Sequence, residues 1–145
     1  MLLIDCQATG ASPAHGHLLE VAWCAGRADK LPNTPDVTSH VVALPEGASV
    51  PPRVARLTGL NRRATLDGVL PGDVVRALAQ LEPAVLVAHY ARFERSFLDP
   101  LWHTHDGAAP RWRWICTHAI AQRLLPELPR RGLRALAGYL GHVPG

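Results

Sequence analysis

Lysine is almost absent from this chain: of fifteen basic residues all but Lys30 are arginine. The planar arginine fork binds phosphate bidentately and stacks on bases, so the bias permits a nucleic-acid partner; a GC-rich coding sequence would produce it without one, and both readings stand. Cysteine is scarce too. Cys6, Cys24 and Cys116 form an odd count with no C-x-x-C spacing, which argues for free thiols in a reducing compartment and against a disulfide framework. Long apolar runs are missing: Pro83 to Ala88 is among the longest, far short of the roughly 18 to 20 residues a membrane helix needs. The opening Met1-Leu2-Leu3-Ile4-Asp5 has no basic stretch and meets a carboxylate at once, so no secretory signal is read there, no membrane is expected as a partner, and the expected location is cytoplasmic. Repeats, low-complexity tracts and linkers are also lacking.

What is present suits a single domain over residues 1–145. Apolar residues make up 48% and charged residues 19%, with 12 Gly and 13 Pro, a globular composition with many turns. The net charge is +3, and its arginines cluster. Arg53, Arg56, Arg62 and Arg63 form one group, Arg111-Trp112-Arg113-Trp114 a second, and Arg130, Arg131 and Arg134 a third. The second group alternates arginine with aromatic: it either lies along a nucleic-acid single strand or is a β-strand with tryptophan inward and arginine outward. Three pairs, His15-Gly-His17, His103-Thr-His105 and Cys116-Thr-His118, open a zinc alternative, although their spacing is not that of the usual structural knuckles.

Periodicity and turn signals set out the elements. Strands are expected at Leu2–Asp5, Leu18–Ala25 and Ser39–Leu44, a meander, with a turn cluster from Thr9 to Pro13. Pro51-Pro52 starts a short helix that Gly59 stops. Asp73 is expected to cap a helix carrying Val74, Val75, Leu78 and Leu81. The apolar run Ala84–Ala88 suits a central strand buried on both faces, and it feeds a helix with Phe93, Phe97, Leu98 and Leu101 on one side, which Pro100 should kink or end. A last strand over Trp112–Cys116 precedes helices over Thr117–Leu125 and Leu133–Leu140, the latter closed by Gly141. A meander followed by crossovers implies an α/β fold, a mixed five-stranded sheet with helices on both faces. Ligands in such sheets sit beyond the carboxyl ends of neighbouring parallel strands. With the first and fourth strands adjacent, Asp5 and Glu94 share one crevice.

Asp5-Cys6-Gln7-Ala8-Thr9-Gly10 resembles the first motif of the DnaQ-like (DEDD) 3′ to 5′ exonucleases, the proofreading branch of the ribonuclease H-like superfamily that includes the polymerase III epsilon type. His17 to Ala22 looks like that family's second strand, Leu57-Thr58-Gly59-Leu60 like a loop it shares, and Leu86 to Glu94 like its second motif. Ile115 to Pro126 and Leu133 to Gly141 follow in the family's order, so the resemblance covers nearly the whole chain. It implies a ribonuclease H-like fold and a two-metal phosphodiesterase. Such chemistry requires carboxylates, because two hard cations, Mg²⁺ or Mn²⁺, must be held about 3.5 to 4 Å apart. By resemblance Asp5, Gln7 and Glu94 occupy the catalytic positions, with Asp5 and Glu94 as metal ligands. Thr9, Gly10, Thr58, Gly59, Leu60, His89, Tyr90 and Phe93 would contact nucleic acid, a single-stranded 3′ end of DNA or RNA, with further domains or a polymerase-type partner nearby.

Several positions depart from the family pattern. Gln7 stands at a Glu position and brings no charge, Glu94 stands at an Asp position one methylene longer, and Tyr90 stands where Asn is usual. The third motif, with its His and Asp, is expected beyond Gly145, so the domain is read as lacking its C-terminal segment. Glu20 either leans into the crevice to replace the charge lost at Gln7 or is a strand glutamate bonded to backbone or water. Two functions therefore compete: an exonuclease with impaired activity, or an inactive nuclease-like module that binds nucleic acid or a partner protein.

Overall fold

A computed structural model of the chain describes residues 1–29, 34–82, 85–106 and 112–142. Strands β1 (Leu2–Ala8), β2 (Leu18–Ala25) and β3 (Thr38–Val41) come first. Helices α1 (Pro52–Thr58), α2 (Arg62–Leu66) and α3 (Pro71–Gln80) follow, then β4 (Val85–Ala88), α4 (Ala91–Asp106), β5 (Arg113–Cys116), α5 (Thr117–Leu124) and α6 (Leu133–Tyr139). The sheet order is β3-β2-β1-β4-β5. The meander is antiparallel, while β1–β4 and β4–β5 are parallel, so β1 is central and the mixed five-stranded α/β sheet expected from the sequence is formed.

Alternation along the strands divides the sheet into two faces. Leu2, Ile4 and Cys6 of β1, Val21 and Trp23 of β2, and Leu86 and Ala88 of β4 are buried against Val74 and Leu78 of α3 and Phe97 and Leu98 of α4. The opposite face carries Leu3, Asp5, Gln7, Glu20, Ala22, Cys24 and Val87, as the pairing register requires. Here a groove of about 350 Å³ is lined by Leu3, Ala22, Cys24, Val37 and Val87, with Leu133 of α6 on its wall. No described helix is long and apolar enough to cross a membrane. Cys6, Cys24 and Cys116 are free thiols.

Several expectations change. β4 is fully buried on one face only, Val85 and Val87 on the other being half-buried. β1 does not stop at Asp5: Cys6, Gln7 and Ala8 pair with Val21, Glu20 and Leu18 of β2, so Asp5 and Gln7 point the same way from one strand. β3 ends at Val41 rather than Leu44, because Val42 turns to bridge Val69. Asp73 lies in the first turn of α3 rather than at its cap; Leu70 is the cap residue and Pro71 starts the helix, proline being pre-set for that position. Pro100 neither ends nor divides α4, which continues to Asp106. Phe97, Leu98 and Trp102 on either side of it are all buried; at about 1.5 to 3 kcal/mol each, their burial exceeds the roughly 3 kcal/mol that an interior proline costs. Helix α2, not expected from periodicity, is capped by Asn61, whose side chain accepts from the Ala64 N–H at 3.2 Å.

The arginine–tryptophan stretch resolves toward packing. Trp112 and Trp114 rest against the core, Trp112 meets Trp102 edge to face at 4.9 Å, and Arg113 points to solvent; Arg111 lies outside the described residues. Of the third arginine group, Arg131 is engaged with its own backbone, donating to the carbonyls of Leu125 and Pro126.

Candidate active site

β1 and β4 are parallel neighbours, so their carboxyl ends open at the same edge, and α4 begins there. This brings Asp5, Cys6, His89, Tyr90, Phe93, Glu94 and Leu133 around one crevice of about 440 Å³. The pair expected from the sequence, Asp5 and Glu94, does share this crevice. Gln7 joins from the same strand face, its Nε2 donating to Asp5 Oδ2 at 3.1 Å. Glu20 lies opposite Gln7 and accepts a hydrogen bond from the Ser39 hydroxyl on β3, and its charge still acts on Asp5.

Glu94 is the anomaly. It is only 2% exposed, in the first turn of α4, and its Oε2 is a buried side-chain oxygen without a hydrogen-bond partner among the described residues. Burial pushes its carboxyl up to about 7; its own N–H and that of Cys6 oppose the shift, and the charge of Asp5 adds to it. Asp5 is also raised, first by burial and then by Glu20, against the Gln7 hydrogen bond and the pull of His89. Leaving a carboxylate oxygen unpaired in the interior is costly, and a bound cation would relieve that cost. Among the described residues no three His, Cys, Asp or Glu side chains gather into a cage, so the zinc alternative built on the His and Cys pairs finds no cluster. Two carboxylates, however, are the usual protein share of a Mg²⁺ site, the rest being water and substrate phosphate.

Around this pair the crevice is braced. His89 Nε2 faces the Arg131 carbonyl at 2.9 Å and so carries hydrogen, while Nδ1 meets the Thr117 hydroxyl at 2.9 Å. Both ring nitrogens are therefore occupied, and His89 is a tie between β4, α5 and the chain before α6. Tyr90 adopts φ +68°, a left-handed backbone that Asn or Gly takes more readily than an aromatic residue. Beside it lie His118 and Cys116, both in positions to which the sequence assigned no role at this site. Burial lowers the His118 pKa, helped by the charges of His89 and Arg131. Burial pushes the Cys116 thiol up, but the N–H groups of Ala119, Ala91, Tyr90 and His118 outweigh it and leave the thiol below its ordinary value. The signal for His118 was available: β5 is parallel to β4, so the first turn of α5 opens at the same sheet edge.

The remaining expected contacts fall elsewhere. Thr9 and Gly10 belong to the loop joining β1 to β2, beside a separate cleft of about 400 Å³ that includes His15, Gly16 and His17. Thr9 closes this loop, its Oγ1 accepting from the His17 N–H at 2.7 Å. A Cβ on Gly16 would lie 2.3 Å from the Gly10 nitrogen, so the two glycines are needed for the loop to close. Gly16→Ala is expected to destabilise the fold by about 1 to 3 kcal/mol in urea unfolding; an unchanged midpoint would show that the loop opens freely. Thr58, Gly59 and Leu60 form the end of α1, with Gly59 at φ +75° and the Leu60 N–H donating to Thr58 Oγ1 at 3.1 Å. They are not among the residues lining the Asp5–Glu94 crevice.

No family model matches the sequence. Over 102 residues, 61% of this chain, it is 35% identical to a Mycobacterium tuberculosis (strain CDC 1551 / Oshkosh) protein named as a bifunctional exonuclease/endonuclease, of whose length it spans 14%. Among solved structures it is similar to product-bound exonuclease I, with a TM-score of 0.76 at 16% identity over 99% of this chain and 39% of the other. Escherichia coli exonuclease I in complex with a dT13 oligonucleotide gives 0.74 at 15% identity over 99% and 36%. An inhibitor complex of exonuclease I gives 0.79 at 16% over 99% and 37%. The fold of this chain is therefore the ribonuclease H-like α/β fold of exonuclease I, matched over nearly its full length.

Proposed function

We propose that the chain is a metal-dependent 3′ to 5′ exonuclease domain of the DnaQ-like type, hydrolysing phosphodiester bonds at the single-stranded end of DNA or RNA in the cytoplasm. The observation that carries this reading is the buried Glu94 carboxyl with an unpartnered oxygen, set beside Asp5 at the carboxyl edge of two parallel strands. Asp5 and Glu94 would hold Mg²⁺ or Mn²⁺, which supplies charge stabilisation to the phosphate and lowers the pKa of water. Gln7 fixes the orientation of Asp5 through its amide hydrogen bond. Phe93 and Leu133 give the crevice an apolar wall, and Glu94 beside it is buried. The nucleic-acid complex of exonuclease I supports the substrate class.

A second reading, a module that binds without cutting, is favoured by Gln7: a neutral side chain stands where a third charge would strengthen the metal site. One experiment separates them. A single strand labelled at its 5′ end is incubated with the protein and Mn²⁺, in DNA and RNA forms. The exonuclease reading expects a ladder shortening from the 3′ end with Mn²⁺ and an intact strand with chelator. A strand left intact under both conditions, yet bound with an affinity that falls steeply with salt, would decide for the binding module.

A further inference from the structure

Tyr90, an exposed residue that lines the carboxylate crevice, stacks on the half-buried ring of His118. Their ring centroids lie 3.9 Å apart with planes at 23°. His89 stands nearly perpendicular to both, 5.0 Å from Tyr90 and 5.5 Å from His118, so it flanks the stack rather than capping it. Tyr90 remains 51% exposed, although aromatic rings are large apolar bodies that folding ordinarily covers. Its backbone is held at φ +68°, a conformation costing on the order of 1 to 3 kcal/mol for a bulky residue, and such strain gathers at functional sites. The strain has a geometric product: the left-handed turn between β4 and α4 sets the ring over the crevice, where it lines the same cavity as Asp5 and Glu94.

We propose that the Tyr90–His118 stack is a platform on which the nucleobase next to the scissile phosphate lies flat. This rests on the nuclease reading of the crevice and adds what is recognised there: the π-face of an unstacked base. Three features support it. Tyr90 keeps about half of its surface open to solvent although it is stacked on His118. Tyr90 lines the same crevice as the carboxylates that would meet the phosphate. His89, tied at both nitrogens, keeps the pair from shifting when a third ring is added. Since every base has a π-face, such a platform accepts all four bases and requires a single-stranded or frayed end.

Binding of a fluorescein-labelled oligo(dT) of about ten nucleotides, with Ca²⁺ replacing Mn²⁺, tests this by anisotropy. A second strand lacks only its 3′-terminal base. Tyr90→Phe keeps the ring, and its affinity is expected to stay within about twofold of the unmodified protein. Tyr90→Asn removes the ring and suits the left-handed backbone, so it is expected to fold at least as well. It should bind the complete strand about tenfold more weakly while binding the abasic strand as the unmodified protein does. Equal weakening of both strands, or of neither, would overturn the platform and leave nucleic-acid binding standing. Failure of the unmodified protein to bind either strand at low salt would remove the nuclease reading, and the platform with it.

Discussion

Replacing Asp5 by asparagine is expected to slow Mn²⁺-dependent degradation of a labelled single strand by on the order of a thousandfold, comparable to removing one electrostatic partner from a preorganised site. The substitution keeps the shape of the side chain and an oxygen able to accept the Gln7 amide at the position it now occupies. Only the charge is lost, and with it half of the carboxylate in the crevice. Neither a poorer Glu94 ligand nor a weakened fold can account for such a loss, because both effects have the wrong sign. The charge of Asp5 raises the Glu94 pKa, so removing it makes Glu94 ionise more readily, which favours cation binding rather than opposing it. The folded protein also raises the pKa of Asp5 itself, chiefly by burial, so its carboxylate costs stability at neutral pH and the asparagine variant should melt no lower than the parent. An inactive variant with an unchanged or higher melting temperature would therefore locate the loss in the donor set. Gln7→Glu is the opposite arm, adding a charge to the same strand face: about a tenfold gain in rate with Mn²⁺ is expected, with lower stability in chelator. An Asp5→Asn variant cutting at the parent rate would sink the assignment of this crevice as the active site.

How much of this was readable from the sequence differs between fold and site. The sheet was readable because its signals are local and strong: an alternating β2, an apolar β4 and the proline and glycine limits of α1. Where the structure departs from expectation, a distant partner is the usual cause. β1 extends past Asp5 only because β2 offers Val21, Glu20 and Leu18 to pair with, and α4 survives Pro100 because the core takes up Phe97 and Trp102. At the site, the meeting of Asp5 and Glu94 followed from strand adjacency alone. What no spacing could reveal was the environment of Glu94: that its carboxyl is buried, that Cys6 and its own amide serve it, and that one oxygen has nothing to bind. The Tyr90–His118 stack was likewise out of reach, because the two residues are joined through parallel strands and through a backbone angle that the sequence does not encode in either residue.

That burial makes the second large prediction one of stability rather than rate. The Glu94 carboxyl moves from 4.5 to about 7 on folding, so the folded state holds this proton more tightly than the unfolded chain does. The sign follows from linkage: the group's contribution is fully present below pH 4.5, falls as the pH rises through about 7, and is gone above it. In chelator, the stability of the parent measured against that of Glu94→Gln should thus fall by on the order of 2 to 3 kcal/mol between about pH 5 and about pH 8, since each tenfold change in proton affinity is worth about 1.4 kcal/mol. Using the difference between two proteins removes the titrations that do not sense the charge of Glu94, that of His118 included, because both carry them. Glutamine leaves an unpaired amide in the same place, which lowers the variant by a fixed amount at all pH values without changing the slope. On the proposed reading Mn²⁺ would bind the ionised carboxyl, so at about pH 8 it should restore most of the lost stability to the parent and none to the variant, while at about pH 5 it should do little to either. Parallel stability curves for the two proteins would mean that Glu94 is already ionised and solvated in the folded state, and the orphaned oxygen on which the proposed metal site depends would no longer exist.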